Sequence, residues 1–161
     1  MRRQDARRGQ SVVEFALVLP ILLAVLFIFT ELLLVFRAQG TLTSVASAAA
    51  HNAALAGGET AGVDADIARL AQQNSLAPDV VRVRIDTDGG AGSWHWADWH
   101  DLPASADRSA WYPPPASYNR DLAVHLTYAY PMALPFLGSR TWTIPADASE
   151  ASQMDTGVLP Q

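Results

Sequence analysis

The chain has no cysteine among its 161 residues. No disulfide can staple it, and thiolate metal sites and cysteine nucleophiles are excluded. The absence says nothing about the compartment. Lysine is missing too, and all eleven basic side chains are arginine, which removes Schiff-base and P-loop chemistry. Positive charge is scarce where a domain would need it to bind nucleic acid. From Glu59 onward thirteen acids face six arginines, the reverse of a surface that displaces counterions from phosphates. Internal repeats, a glycine-rich phosphate loop and serine–histidine–acid spacing are all lacking. The length suits one membrane segment plus one small domain and leaves no room for a large enzyme.

What is present begins with a basic leader and a hydrophobic run. Arg2, Arg3, Arg7 and Arg8 stand against Asp5 alone, and Val12 to Phe36 then contains only Glu14, Thr30 and Glu31 as polar residues. The charge-free core, Phe15 to Thr30, is sixteen residues, a little short of the roughly 20 of a spanning helix and long for a secretory signal. The arginines place the N-terminus in the cytoplasm by the positive-inside rule, and the rest of the chain outside. Helical character continues through the alanine-rich stretch that follows, with Gly40 as a weak point and Gly57-Gly58 as the natural stop. One helix from Gln10 to Ala56 would be about 70 Å long, of which a bilayer core takes about 30 Å. Leu42, Val45, Ala49, Ala53 and Ala56 form a narrow stripe of small residues on the remainder. It suits docking on the chain's own domain and close packing against neighbouring copies equally.

After the glycines a short helix is expected before Pro78, with Asp64 as its N-cap and Ile67, Leu70 and Ala71 on one face. The period then changes to two. Val81, Val83 and Ile85 alternate with Arg82, Arg84 and Asp86. Leu122, Val124, Leu126, Tyr128 and Tyr130 alternate with Ala123, His125, Thr127 and Ala129. Trp142 and Ile144 alternate with Thr141 and Thr143. These read as half-buried strands, the last two joined by a broad hairpin over Pro131 to Ser139. A short strand near Trp94 to Ala97 can follow the Asp88-Gly89-Gly90 turn. Residues 98–119 read as a long loop, and the tail after Ala146 as frayed or partner-dependent.

The acid just inside the greasy run needs a reason. Gly9 ends the basic leader, Glu14 follows five residues later, and Phe15 and the hydrophobic helix come next. This pattern of glycine, four residues, glutamate and aromatic resembles the N-terminus of TadE-like pseudopilins, in the Flp or tight-adherence branch of the type IV pilus family. The stretch "LAVHLTYAYPMALPFLG…TWTIPADASEAS" also resembles that family's final strands. The resemblance implies cutting after Gly9 by a membrane-embedded prepilin peptidase, so that Gln10 becomes the mature terminus. It also implies that Glu14 serves assembly. A carboxylate near the interface costs less than the roughly 2.5–3.5 kcal/mol of one at the bilayer centre, and the new ammonium at Gln10 can pair with it. An uncleaved signal anchor that merely ends at Glu14 is the plainer alternative. Glu31 is expected to mark the outer interface, and Pro20 could kink the helix.

The expected organisation is a leader over residues 1–9, a transmembrane and stalk helix over 10–57, and an extracytoplasmic domain over 58–161. The fold class is α+β, a long pilin-like helix packed with a small antiparallel sheet. The resemblance implies a minor pseudopilin of the cytoplasmic (inner) membrane, a peptidase substrate and not an enzyme. Other pseudopilins, the major pilin and inner-membrane platform proteins are its implied partners. No cofactor is expected.

The one other constellation is "WHWADWHD". His95, Asp98, His100 and Asp101 could ligate a metal, but on an extended chain His95 and His100 point to opposite faces, and no second cluster completes the set. No metal site is expected. Trp94, Trp96 and Trp99 are expected to substitute for missing core in preference to stacking on a sugar or lying at a membrane interface, and His51 and His125 to face solvent. Two rival readings are a signal-anchored module or enzyme using residues 94–101, and conventional secretion with cleavage near Ala46-Ser47-Ala48.

Overall fold

The computed structural model describes residues 2–98, 111–134 and 138–153, and side chains at those positions other than 2–12 and 134. The chain divides into two compact units. One comprises Met1–Phe36 with Pro131–Thr141, the other Arg37–Tyr130 with Trp142–Gln161.

Helix α1 is a single element, Arg2–Ala56, and stays helical through both Pro20 and Gly40. Within its apolar stretch the Thr30 hydroxyl donates to the Leu26 carbonyl at 2.9 Å, so that polar group is satisfied inside the helix. The helix stops where the glycines require. Gly57 takes the left-handed conformation at φ 73°, and the Gly58 N–H donates to the Ala53 carbonyl at 2.9 Å. That is a Schellman motif, which caps carbonyls the helix end leaves open.

In the second unit α1 supplies one wall of the core. Ala38, Leu42, Val45, Ala46, Ala49, Ala50, Ala53 and Ala54 are buried. Four of the five stripe residues therefore pack within their own domain, while Ala56 is half-buried. Helix α2, Ala61–Gln73, adds Val63, Ile67 and Ala71. Its N-cap is Thr60, whose hydroxyl accepts from the Val63 N–H, a bond worth about 1 kcal/mol. This corrects the expectation for Asp64, which lies one turn inside the helix and is buried. A 3-10 turn, Pro78–Val80, leads into the sheet.

The sheet contains β1 (Val81–Thr87), β2 (Gly90–Ala91), β3 (His95–Trp96), β4 (Asp121–Leu134) and β5 (Gly138–Ala151). The order is β2-β1-β4-β5, with β3 also pairing β1. The pairs of β1 are antiparallel, Val83 lying opposite Leu126 on β4 and opposite His95 on β3. The period-two pattern holds over Val81, Val83, Ile85, Leu122, Val124, Leu126 and Ile144, which are buried, each contributing about 1.5–3 kcal/mol; it fails at Trp142, expected inward beside Ile144 but 59% exposed. The architecture is α+β, as expected.

Two boundaries differ from expectation. The strands β4 and β5 continue past Pro131 and back from Gly138, so only residues 135–137 separate them, and these lie outside the described residues. Residues 147–151 are strand rather than frayed tail, and residues 154–161 lie outside the described residues. The strand end is held by backbone bonds, Ser152 N–H to Arg120 O at 2.8 Å, Asn119 N–H to Ser152 O at 2.8 Å and Gln153 N–H to Ala54 O at 3.0 Å.

Candidate functional site

Two places carry unusual chemistry. The first is the N-terminal part of α1. Gly9 and Gln10 lie within the helix, and Glu14 and Phe15 are exposed. From Val13 to Phe36 seventeen large apolar side chains are exposed, far more contiguous apolar surface than water-facing proteins carry. Among the described residues this is the one helix long and apolar enough to cross a membrane. Glu31 is half-buried within it.

The second place lies inside the other unit, and sequence reasoning did not find it. The glycine stop of α1 delivers Glu59 to the interior. The Thr60 cap sets Asp64 one turn into α2. The register of β3 on β1 turns His95 inward. All three side chains are at most 1% exposed. His95 Nε2 lies 3.0 Å from Glu59 Oε1 and 3.5 Å from Asp64 Oδ1. Its Nδ1 is 2.8 Å from the Ser93 carbonyl. The Tyr112 hydroxyl donates to Asp64 Oδ2 at 2.9 Å.

The electrostatics follow from burial and neighbours. Burial alone would lower the pKa of the His95 ring, but Asp64, Glu59 and the Ser93 carbonyl together outweigh it and push the value up to about 9. Burial raises the Glu59 carboxyl above its usual range against the pull of His95. The triad is buried at all three side chains. It can hold charge, and it can hold a cation.

On the surface, the Arg82 guanidinium sits 5.8 Å from the Trp94 ring centroid and 5.4 Å from that of Trp96, two cation–π contacts. Both tryptophans are more than a third exposed, so they do not fill missing core as expected. The inward positions of that segment belong to His95 and Ala97. Trp99, His100 and Asp101 lie outside the described residues. His51 is exposed as expected, with Nδ1 3.0 Å from Glu150 Oε1. His125 is half-buried between Asp147 (2.6 Å) and Asp86 (3.4 Å).

Residues 9–51 match the family model for TadE-like protein. The match bears out the resemblance read from the leader, glycine and glutamate, and it associates the chain with tight-adherence pilus-related systems. It covers a little over a quarter of the chain. No curated protein matches the sequence, and no solved structure does.

Proposed function

We propose that the chain is a minor pseudopilin of a tight-adherence pilus or related secretion machine, cut by a prepilin peptidase between Gly9 and Gln10. The observation that carries this is the division of labour along one helix. The part that matches TadE-like proteins, residues 9–51, exposes apolar side chains through Phe36 and buries Ala38, Leu42, Val45, Ala46, Ala49 and Ala50. A helix that is greasy outside in one half and core-forming in the other suits a subunit withdrawn from a membrane into an assembly.

In this reading the arginines stay cytoplasmic and the α+β domain lies on the other side of the inner membrane. Removing residues 1–9 creates an ammonium at Gln10. Glu14 lies about 6 Å further along the helix axis. Charge pairing there, within the chain or with a neighbouring subunit, offsets the cost of a carboxylate in a low-dielectric bundle and sets the docking register. The partners are other pseudopilins, the major pilin and the inner-membrane platform. Catalysis is left to the peptidase and the assembly motor. The burial of His95 supports this over a ligand-binding module at 94–101, since that ring faces the interior.

Intact-mass measurement of the native protein tests the reading. Loss of residues 1–9 is expected. An intact arginine leader, or loss of about 48 residues, overturns it.

A further inference from the structure

We propose that Glu59, Asp64 and His95 bind one divalent transition-metal cation, Zn2+ by the chemistry of the donors, and that this ion ties the end of α1 and the start of α2 to β3. The inference concerns the folded domain and stands apart from the proposed role in pilus assembly.

The donor atoms are already gathered. One ligating atom from each residue lies within 4.8 Å of the others. The two distances from His95 Nε2, 3.0 and 3.5 Å, bracket the separation of about 3.3 Å between ligands bound tetrahedrally at about 2.0–2.1 Å. The ring is oriented as a ligand is. A carbonyl can only accept, so the 2.8 Å contact with Ser93 O fixes a hydrogen on Nδ1 and turns Nε2 toward the carboxylates. Metal-binding histidines characteristically donate their other N–H to such a group. The Tyr112 hydroxyl holds Oδ2 of Asp64 and leaves Oδ1 on the side of the imidazole.

Glu59 provides an independent observation. Its side chain is wholly buried, yet among the described residues neither carboxylate oxygen has a hydrogen-bond partner. Oε1 faces His95 Nε2 at 3.0 Å. Buried carboxylates are otherwise hydrogen-bonded or bound to metal. Gly92 keeps the space beside it, since a Cβ there would come within 3.3 Å of Glu59 Oε2.

A divalent cation held by a neutral imidazole and two carboxylates balances the charge of these three side chains, and it displaces the ring proton on binding. One nitrogen and two carboxylate oxygens suit Zn2+ better than Ca2+ or Mg2+, which take oxygen ligands and water. Glu59 Oε2, also without a hydrogen bond among the described residues, can complete four positions, and the enclosure makes the role structural. A small domain with no cysteine gains from such a staple what secreted domains gain from disulfides.

The test uses the full-length protein in detergent, purified without metal-affinity resin and stripped with chelator. Zn2+ is titrated against a chromophoric competitor, Co2+ absorption reports the coordination, and thermal unfolding is followed with and without metal. One equivalent of tight binding, intense tetrahedral Co2+ bands and a Tm raised by several degrees are expected. Glu59→Gln abolishes the tight site. Tyr112→Phe, which leaves the three donors in place, weakens binding about 10–100-fold and keeps the test decisive if Glu59→Gln fails to fold. The proposal is overturned if the stripped protein shows no Tm change at about a hundredfold excess of Zn2+. It is also overturned if Zn2+ binds with affinity unchanged in Tyr112→Phe and in a folded Glu59→Gln.

Discussion

His95 and Glu59 face each other at 3.0 Å with both side chains fully buried, one from β3 and the other from the turn that ends α1. Removing His95 takes from the buried Glu59 carboxylate its neighbour at 3.0 Å. His95→Ala is therefore expected to destabilise the domain by about 3–5 kcal/mol, measured by denaturant unfolding in detergent. A loss below about 1 kcal/mol would mean the interior is wetter than the burial indicates.

Gly92 is fixed by space rather than by φ. Its N–H donates both to the Ile85 carbonyl and to Asp86 Oδ1, each at 3.0 Å. An added Cβ would stand 2.3 Å from the Ile85 carbonyl oxygen, which is backbone and cannot rotate away. Gly92→Ala should cost about 3 kcal/mol by overpacking. By contrast, a Cβ at Gly40 meets nothing within 4 Å, and Gly40→Ala should stabilise the helix by up to about 1 kcal/mol. Comparison of the two midpoints in one denaturant series checks both signs.

Acid should weaken the sheet through Asp86. Its pKa is depressed chiefly by hydrogen bonds from Arg84, at 2.8 and 2.7 Å. Partial burial opposes this, and the Gly92 N–H and the charges of Arg84 and His125 add to it. A group whose folded pKa lies below its unfolded value of about 3.9 stabilises fully above that value and loses the contribution as pH falls through the depressed one. Unfolding free energy should thus drop below about pH 4, and Asp86→Asn should flatten that part of the profile. The groups facing Asp86 are Arg84 on its own strand, His125 on β4 and the backbone after β2. An unchanged acid slope in Asp86→Asn would assign the loss elsewhere.

The elements that could be read from sequence are those whose signal is local. Helix α1 shows as an alanine-rich run closed by two glycines, and β1, β4 and the inner part of β5 show as alternation. The outer part of β5 does not. "DASEA" has no apolar period, and what orders it is pairing to Arg120 and Asn119 and the bond from Gln153 to Ala54. The cluster illustrates the same limit. His95 stands out in sequence, but the companions its spacing offers are Asp98, His100 and Asp101. The acids that meet it lie more than thirty positions earlier, at Glu59 and Asp64, where one follows a helix stop and the other resembles a cap. Only the register of β3 on β1 brings them together. A polar residue between tryptophans was the available hint, and its partners required the tertiary fold.

Glu14 separates folding from assembly. It lies outside the unit that holds the core, and its side chain is exposed on α1. Replacement should leave domain stability unchanged within about 0.5 kcal/mol. On the proposed reading, Glu14→Ala is still processed after Gly9 but incorporates poorly, because the ammonium of Gln10 loses its counter-charge. Glu14→Gln should behave like Glu14→Ala if charge sets the register, and like the native protein if hydrogen bonding suffices. A loss of at least about tenfold in co-assembly, the equivalent of about 1.4 kcal/mol, is expected for both. It can be read by cross-linking to other pseudopilins in membranes, with intact mass confirming processing. Normal incorporation of the Glu14→Ala protein would place the docking energy in the apolar helix face alone and remove the carboxylate from the mechanism.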